Sequence, residues 1–393
     1  MVRKKLNSAG VAHIFVLAIV VVSVAIGGAY YVIASHADTA TKPKGNPNTI
    51  RVASYNVLGA GYPQAPPHDN KFGVNTLVRA HLAADTMISS NVDIVGVQEL
   101  DTVDNQFGKV KDRMTGNGYR ALPTNAKASG RAGQRAIFWK TDRFTAVKTG
   151  TIAFPYQDAP YNKKTKKFQL NDKLNWVLLK DTKTEDQLYV VSAHLVARNN
   201  KECRYKCNPP GTPGGTDAGG AQKRKAAADI LADWVKQRKA THPVILVGDF
   251  NSPFSLKSTE KGVISRDEIP YCRLTRAVNG AAIIRNAWDT YTGRSGHCPY
   301  NTDKPIIDHV YATQRFAVTR WVRPYNLVTN KASDHRPLIV DLLLSKNSKS
   351  NLTSENGGDA DYQDDSFNLG DASNQALLDQ NVYSDDNIDN YTD

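Results

Sequence analysis

The stretch VILVGDFNS, Val244 to Ser252, runs through four apolar residues and a glycine into Asp249, Phe250, Asn251 and Ser252. Its first half reads as a strand buried on both faces, because the apolar run is continuous rather than alternating. A carboxylate and an amide are costly in a core unless they are paired, hydrogen-bonded or bound to metal. The same anomaly recurs along the chain. RVASYN ends on Asn56, VDIVGVQE on Glu99 and LYVVSAH on His194; PIID reaches Asp308 just before His309, and ASDH sets Asp334 and His335 ahead of an apolar run. Strand ends that meet at one rim of a sandwich gather such groups into a single cleft.

Around these ends lie β-branched runs and helical patterns. TIRVASYNV, VDIVGVQEL, RAIFWK, WVLLKD, QLYVVSAHL, PVILVGDFN, IIDHVYAT and HRPLIVDLLL read as strands. VNTLVRAHLAADTMISS reads as a helix with Val74, Leu77, Val78, Ala84 and Ile88 near one face, and AQKRKAAADILADWVKQRK as one with Ala227, Ile230, Leu231, Trp234 and Val235 on its apolar stripe. Several strand pairs follow each other without an intervening helix. The fold class expected is therefore an α/β sandwich of four layers, two packed mixed sheets flanked by helices, rather than a doubly wound sheet.

The chain ends are unlike a globular core. Residues 1–10 are basic (Arg3, Lys4, Lys5), and within residues 11–33 the twenty from Ile14 to Ile33 carry no charge. That is enough to cross ~30 Å of hydrocarbon, with the N-terminus cytoplasmic and the body outside. A transmembrane anchor is favoured over a signal peptide cleaved after Ser35-His36-Ala37, since a signal's apolar region is typically shorter. Residues 34–48 read as a linker. Residues 345–393 hold eleven acids against two lysines and read as an acidic disordered tail, leaving +21 for the first 344 residues once that −9 is taken from the chain's +12. A basic body suits a polyanion, a nucleic acid or an anionic lipid surface. Four cysteines, Cys203 and Cys207 in one loop and Cys272 and Cys298 farther on, fit structural disulfides in an oxidising compartment; pairing of sequence neighbours is the simplest of three connectivities.

The polar set is carboxylate, amide and imidazole. Its oxygens are hard ligands suited to Mg²⁺ or Mn²⁺, and it lacks the cysteine or paired-histidine spacing of a zinc site. No G-x-S-x-G elbow, Walker A loop or G-x-G-x-x-G turn follows a strand, and GTPGGTDAGG lacks the Lys-Ser/Thr ending of a phosphate loop. Metal-assisted attack of water on a phosphate ester fits this inventory.

SYNV, VQEL, SAHL, GDFNS, IDHVYA and SDHRPL, in that order, resemble the motifs of the endonuclease/exonuclease/phosphatase superfamily, over about residues 49–344. The resemblance implies the sandwich fold, a Mg²⁺-dependent hydrolase acting on phosphoric ester bonds, and a role for each residue. Glu99 would be the principal metal ligand, with Asn56 beside it supporting metal or phosphate and Asp334 completing the shell. Asp249 would orient or deprotonate water, Asn251 would hold a phosphoryl oxygen, and His335, oriented by Asp308, would stabilise the phosphate's developing charge. His194 would face the leaving group, although its usual carboxylate partner is replaced by Gln134.

The basic body and export favour a nuclease, with nucleic acid as substrate. A sphingomyelinase-like lipid phosphodiesterase or a phosphatase is the alternative, and an inactive binding module a further one. The lipid reading needs an exposed apolar hairpin, for which TIAFPYQDAPY is the candidate. Lys223, Arg224 and Lys225 read as a solvated helix face, YNKKTKKF as a strand grip or a hairpin tip, and His309 as a packing residue. No protein partner is implied, and a monomer is expected.

Overall fold

The computed structural model describes residues 47–60, 76–101, 105–123, 135–156, 159–197, 218–254, 264–278, 281–293, 306–324, 329 and 332–345. Strands β1 (Thr49–Asn56), β2 (Ile94–Gln98), β3 (Tyr119–Pro123), β4 (Arg135–Lys140), β15 (Phe316–Val322) and β16 (Leu338–Leu344) form one sheet, in the order β15-β16-β1-β2-β4-β3. Strands β5 (Phe144–Phe154), β8 (Asp172–Asp181), β9 (Gln187–His194), β10 (Val244–Asp249), β13 (Arg285–Asn286) and β14 (Asp308–Ala312) form the second, in the order β13-β14-β10-β9-β8-β5. Two small hairpins, β6 (Tyr161–Asn162) with β7 (Lys167–Phe168) and β11 (Ala277–Val278) with β12 (Ala281–Ala282), stand apart. Among the described strands only β1–β2 and β9–β10 pair in parallel, so both sheets are mixed.

Each sheet is buried on both faces, and strand parity assigns residues to layers. In β10, Ile245 and Val247 enter the core between the sheets, while Val244 and Leu246 face the outer core. That outer core takes in Leu231 and Val235 of α3 (Ala218–Lys239) and Leu274 of α4 (Pro270–Thr275). In β1, Ile50 and Val52 enter the central core, while Ala53 and Tyr55 meet Ala83 and Met87 of α1 (Thr76–Ser89) and Val110 of α2 (Gln106–Thr115). The order helix, sheet, sheet, helix is the expected four-layer sandwich. A short α5 (Ala287–Tyr291) closes the β13–β14 edge.

The sheets approach each other closely at Gly96. A Cβ there would lie 2.2 Å from Val247 Cγ2 and 2.9 Å from Ser192 Oγ, so a side chain would push the layers apart. At the pole where β1 begins, Arg143 donates to Thr49 O (2.7 Å), Pro47 O (2.6 Å) and Asp181 (2.7 Å), and Arg51 makes a two-point contact with Asp341 (2.7 and 2.9 Å). These buried charges are paired and hydrogen-bonded, as burial requires.

Three expectations change. The apolar face assigned to α1 holds at Ala84 and Ile88 but not at Leu77 and Val78, which are exposed, while Val74 lies outside the described residues; the helix packs through Ala80, Ala83, Ala84 and Met87, and the three small alanines permit close approach to the sheet. Lys223 and Arg224 are buried rather than a solvated face; the Arg224 guanidinium donates to Val196 O (3.0 Å) and the Lys223 ammonium lies 5.7 Å from the Phe168 ring centre. TIAFPYQDAPY is not an exposed apolar hairpin, because Ile152, Phe154, Tyr156 and Ala159 are all buried. Among the described residues no helix is long and apolar enough to cross a membrane; the segments 11–33 and 346–393, and Gln134, lie outside them. Cys272 is disulfide-bonded, and the other three cysteines lie outside the described residues.

Candidate active site

Parity along the strands aims the polar ends inward. Asn56 continues the Ile50, Val52, Ser54 face of β1; His194 continues Val190 and Ser192; Asp249 continues Ile245 and Val247; Asp308 precedes Val310 and Ala312. His309 falls on the opposite face, packed against Phe250, Phe254 and Tyr311 with Nε2 on Ser252 O (2.9 Å), which bears out its reading as a packing residue. Register sets Asp249 beside both His194 and Asp308, three strands abreast. Glu99 lies one residue past β2 with φ 58°, a left-handed backbone that returns its carboxylate toward the inner face. Asn251 (φ 49°) and Leu58 (φ 55°) share that uncommon conformation, and strain of this kind concentrates at functional sites.

Asn56 ties the sheets together, its Nδ2 donating to Glu99 Oε1 (2.9 Å) and to Asp249 Oδ2 (3.1 Å). Gly59 N–H holds Glu99 Oε2 (3.0 Å), and Asn251 N–H holds Asp249 Oδ1 (2.8 Å) while its side chain donates to Leu195 O (3.0 Å). His335 Nδ1 lies 2.9 Å from Asp308 Oδ2, and its Nε2 lies 3.8 Å from Asp249 Oδ2. His194 Nε2 approaches Glu99 Oε1 (3.6 Å) and Asp249 Oδ2 (3.7 Å), with Nδ1 buried and lacking a partner among the described residues. Asp334 stands apart: it is exposed, its carboxylate lies 3.3 Å from Ser333 Oγ, and it belongs to neither cluster of potential ligands.

Electrostatics divide these groups. Burial raises the carboxyls of Glu99 and Asp249 above the ordinary range, opposed at Glu99 by the Asn56 hydrogen bond and at Asp249 by His335. Burial would lower His335, but Asp308, with Asp249 and Asp334, holds it well above its usual value, and the same pairing lowers Asp308 against its own burial. His194 is pushed down to about 4 by burial, with Arg135 adding to the effect. Glu99, His194 and Asp249 bring ligand atoms within 4.8 Å of one another, as do Asp249, Asp308 and His335. Burial disfavours the anionic forms of Glu99 and Asp249 even with the Asn56 amide between them and His335 beside Asp249; a hard divalent cation would favour those forms.

Several contributors carried no isolated signal in the sequence. Ser333 Oγ donates to Asn56 O (2.7 Å) and accepts from His335 N–H (3.1 Å), binding the histidine loop to β1. Gln98 Nε2 donates to Ser192 Oγ (3.1 Å) across the sheets. Gln106 on α2 clamps both rim loops, accepting from Ala60 N–H (3.0 Å) and Asp101 N–H (3.1 Å) and donating to Leu58 O (2.9 Å). Arg323 reaches within 3.9 Å of Asp308. Ser333 could have been found from its place in SDH; Arg323 directly follows β15, a strand absent from the sequence pattern.

Residues 53–335 match the family model described as the Endonuclease/Exonuclease/phosphatase family. Among curated protein sequences none matches. In fold the chain is similar to the human Nocturnin catalytic domain, 19% identical, covering 77% of this chain and 96% of that chain with a TM-score of 0.51. It is also similar to an endonuclease/exonuclease/phosphatase from Beutenbergia cavernae, 17% identical, covering 75% and 72% with a TM-score of 0.50. The matched range opens just before the Asn56 strand end and closes on His335, so it takes in every residue of the cleft, and the chain belongs to the endonuclease/exonuclease/phosphatase family of phosphoester hydrolases.

Proposed function

We propose that the protein is an exported, membrane-anchored phosphodiesterase, dependent on Mg²⁺ or Mn²⁺, that cleaves nucleic acid. The observation that carries the chemistry is the meeting of Glu99, Asn56 and Asp249 within hydrogen-bond reach, faced by the charged His335. Glu99 and Asn56 would hold the cation, with Asp334 at the rim. A bound divalent cation would supply positive charge to the phosphoryl oxygens. Asp249, fixed through Oδ1, orients and deprotonates the attacking water with Oδ2. His335, held through Nδ1 by Asp308, donates its Nε2 proton toward a phosphoryl oxygen as charge builds there, and Asn251 offers its remaining amide hydrogen. His194, neutral, faces the leaving oxygen. Placement before reaction, rather than any one bond, supplies most of the rate in such sites.

The body's charge of +21 supports a polyanionic substrate, and the disulfide at Cys272 supports export. β1 begins and β16 ends at the pole opposite the cleft, which supports an anchor remote from the active site. The lipid alternative loses its membrane-facing hairpin, since the stretch from Ile152 to Ala159 supplies core rather than surface. The test is the purified protein and its Asp249→Ala variant offered DNA, RNA, sphingomyelin and phosphoinositides, with and without EDTA. Nucleic-acid cleavage abolished by EDTA and by the substitution is expected; lipid turnover with intact nucleic acid overturns the proposal.

A further inference from the structure

The connection between β5 and β8 carries YNKKTKKF, Tyr161–Phe168, and the topology decides where it stands. β9 runs toward the cleft and ends on His194; β8 is antiparallel to it and β5 antiparallel to β8, so β5 ends and β8 starts at the cleft rim. The hairpin β6–β7 therefore rises from that rim, carried by strands that stand one (β8) and two (β5) spacings of ~4.8 Å from β9. Tyr156, at its base, makes an edge contact with the His194 ring at 6.1 Å between centres.

The hairpin is built to hold its shape. Asn162 Oδ1 accepts from Lys164 N–H (2.9 Å) and Thr165 N–H (3.1 Å), closing the tip. Gln169 N–H donates to Pro160 O (2.9 Å), and Asn171 Oδ1 accepts from Tyr156 N–H (2.8 Å), closing the base. The Tyr161 and Phe168 rings pack on each other at 5.1 Å, with Lys223 over Phe168. The aromatics are thus spent on the hairpin itself, and what it presents to solvent is charge. Lys163, Lys164, Lys166 and Lys167 are all exposed, and none has an ion pair among the described residues.

We infer that this hairpin is a phosphate-backbone rail: its four lysines hold the nucleic-acid strand on the His194 side of the cleft, a few nucleotides from the scissile phosphate. The inference rests on the proposed nuclease reading and extends it to where the polymer lies. Ammonium groups on a closed hairpin neutralise backbone phosphates without reading bases, so the contact is independent of sequence and sensitive to salt.

The full-length protein is compared in two charge-matched pairs, Lys163→Gln/Lys164→Gln on the hairpin and Lys148→Gln/Lys183→Gln on exposed residues away from the rim. Binding of a labelled oligonucleotide is followed by anisotropy in EDTA across salt concentrations. The hairpin pair is expected to weaken binding about tenfold and to lower the salt slope by about 1.4 to 1.8, at ~0.7–0.9 per phosphate contact. The control pair is expected to do neither. With Mg²⁺ present, the hairpin pair should lose more kcat/KM on the oligonucleotide than on bis(p-nitrophenyl) phosphate. Equal effects of the two pairs, no effect of the hairpin pair, or loss of phosphatidylserine-vesicle binding with oligonucleotide binding intact overturns the inference. Should the wild type hydrolyse neither ester, the catalytic reading fails, while the anisotropy comparison still decides the hairpin.

Discussion

His335 and Asp308, 27 positions apart, meet with Nδ1 2.9 Å from Oδ2, and this contact keeps an imidazole charged inside a cleft that would otherwise neutralise it. Asp308 does so from the inner face of β14, one strand from Asp249, with Arg323 3.9 Å behind it. Asp308→Asn removes the charge that holds the proton on His335. A fall in kcat of about 10²-fold or more with little change in KM is expected in steady-state assays, since such groups typically contribute 10²–10⁴. An unaltered kcat would remove His335 from the chemistry.

Burial makes Glu99 and Asp249 resist ionisation without a cation, so metal and stability are linked. Addition of Mg²⁺ or Mn²⁺ should raise the wild-type melting temperature by mass action. Glu99→Gln should abolish that metal-dependent increment. Calorimetry with and without EDTA reads both effects.

Gly96 permits the approach of the two sheets, because its missing Cβ leaves room for Val247 and Ser192. Gly96→Ala should destabilise the domain by about 1–3 kcal/mol, the usual cost of overpacking a tight core, seen as a lower denaturant midpoint. Activity per folded molecule should fall too, since the cleft spans both sheets.

His309 is buried and neutral, its Nε2–H on Ser252 O (2.9 Å) and its pKa pushed down by burial to about 4 from 6.5. Its folded value lies below the unfolded one, so between these pH values the unfolded chain binds the extra proton. Stability from this residue is therefore complete above pH 6.5 and declines as pH falls toward 4, by about 3 kcal/mol in all. His309→Gln should flatten the melting temperature's dependence on pH across that window. An unchanged slope would show that His309 titrates in the folded state.

Much of the site was legible in the chain itself because strand parity is a local property. The continuous apolar run of Val244–Val247 announced two buried faces, and the alternation of Asp308 with His309 separated an inward acid from a packing histidine before any fold was known. The six polar strand ends and the sandwich followed from pattern and order. Tertiary structure alone decided what depends on elements distant in sequence meeting. Arg224 could not be read as buried, because its partner is Val196, nor the Tyr156 stretch as core, because that core belongs to the second sheet. Leu77 and Val78 look like a helix's inner face until the small side chains of Ala80, Ala83 and Ala84 let the sheet approach elsewhere. VILVGDFNS determined that an acid would stand at the end of a buried strand; only the register of three strands, and the Gly96 contact between sheets, decided which groups stand around it.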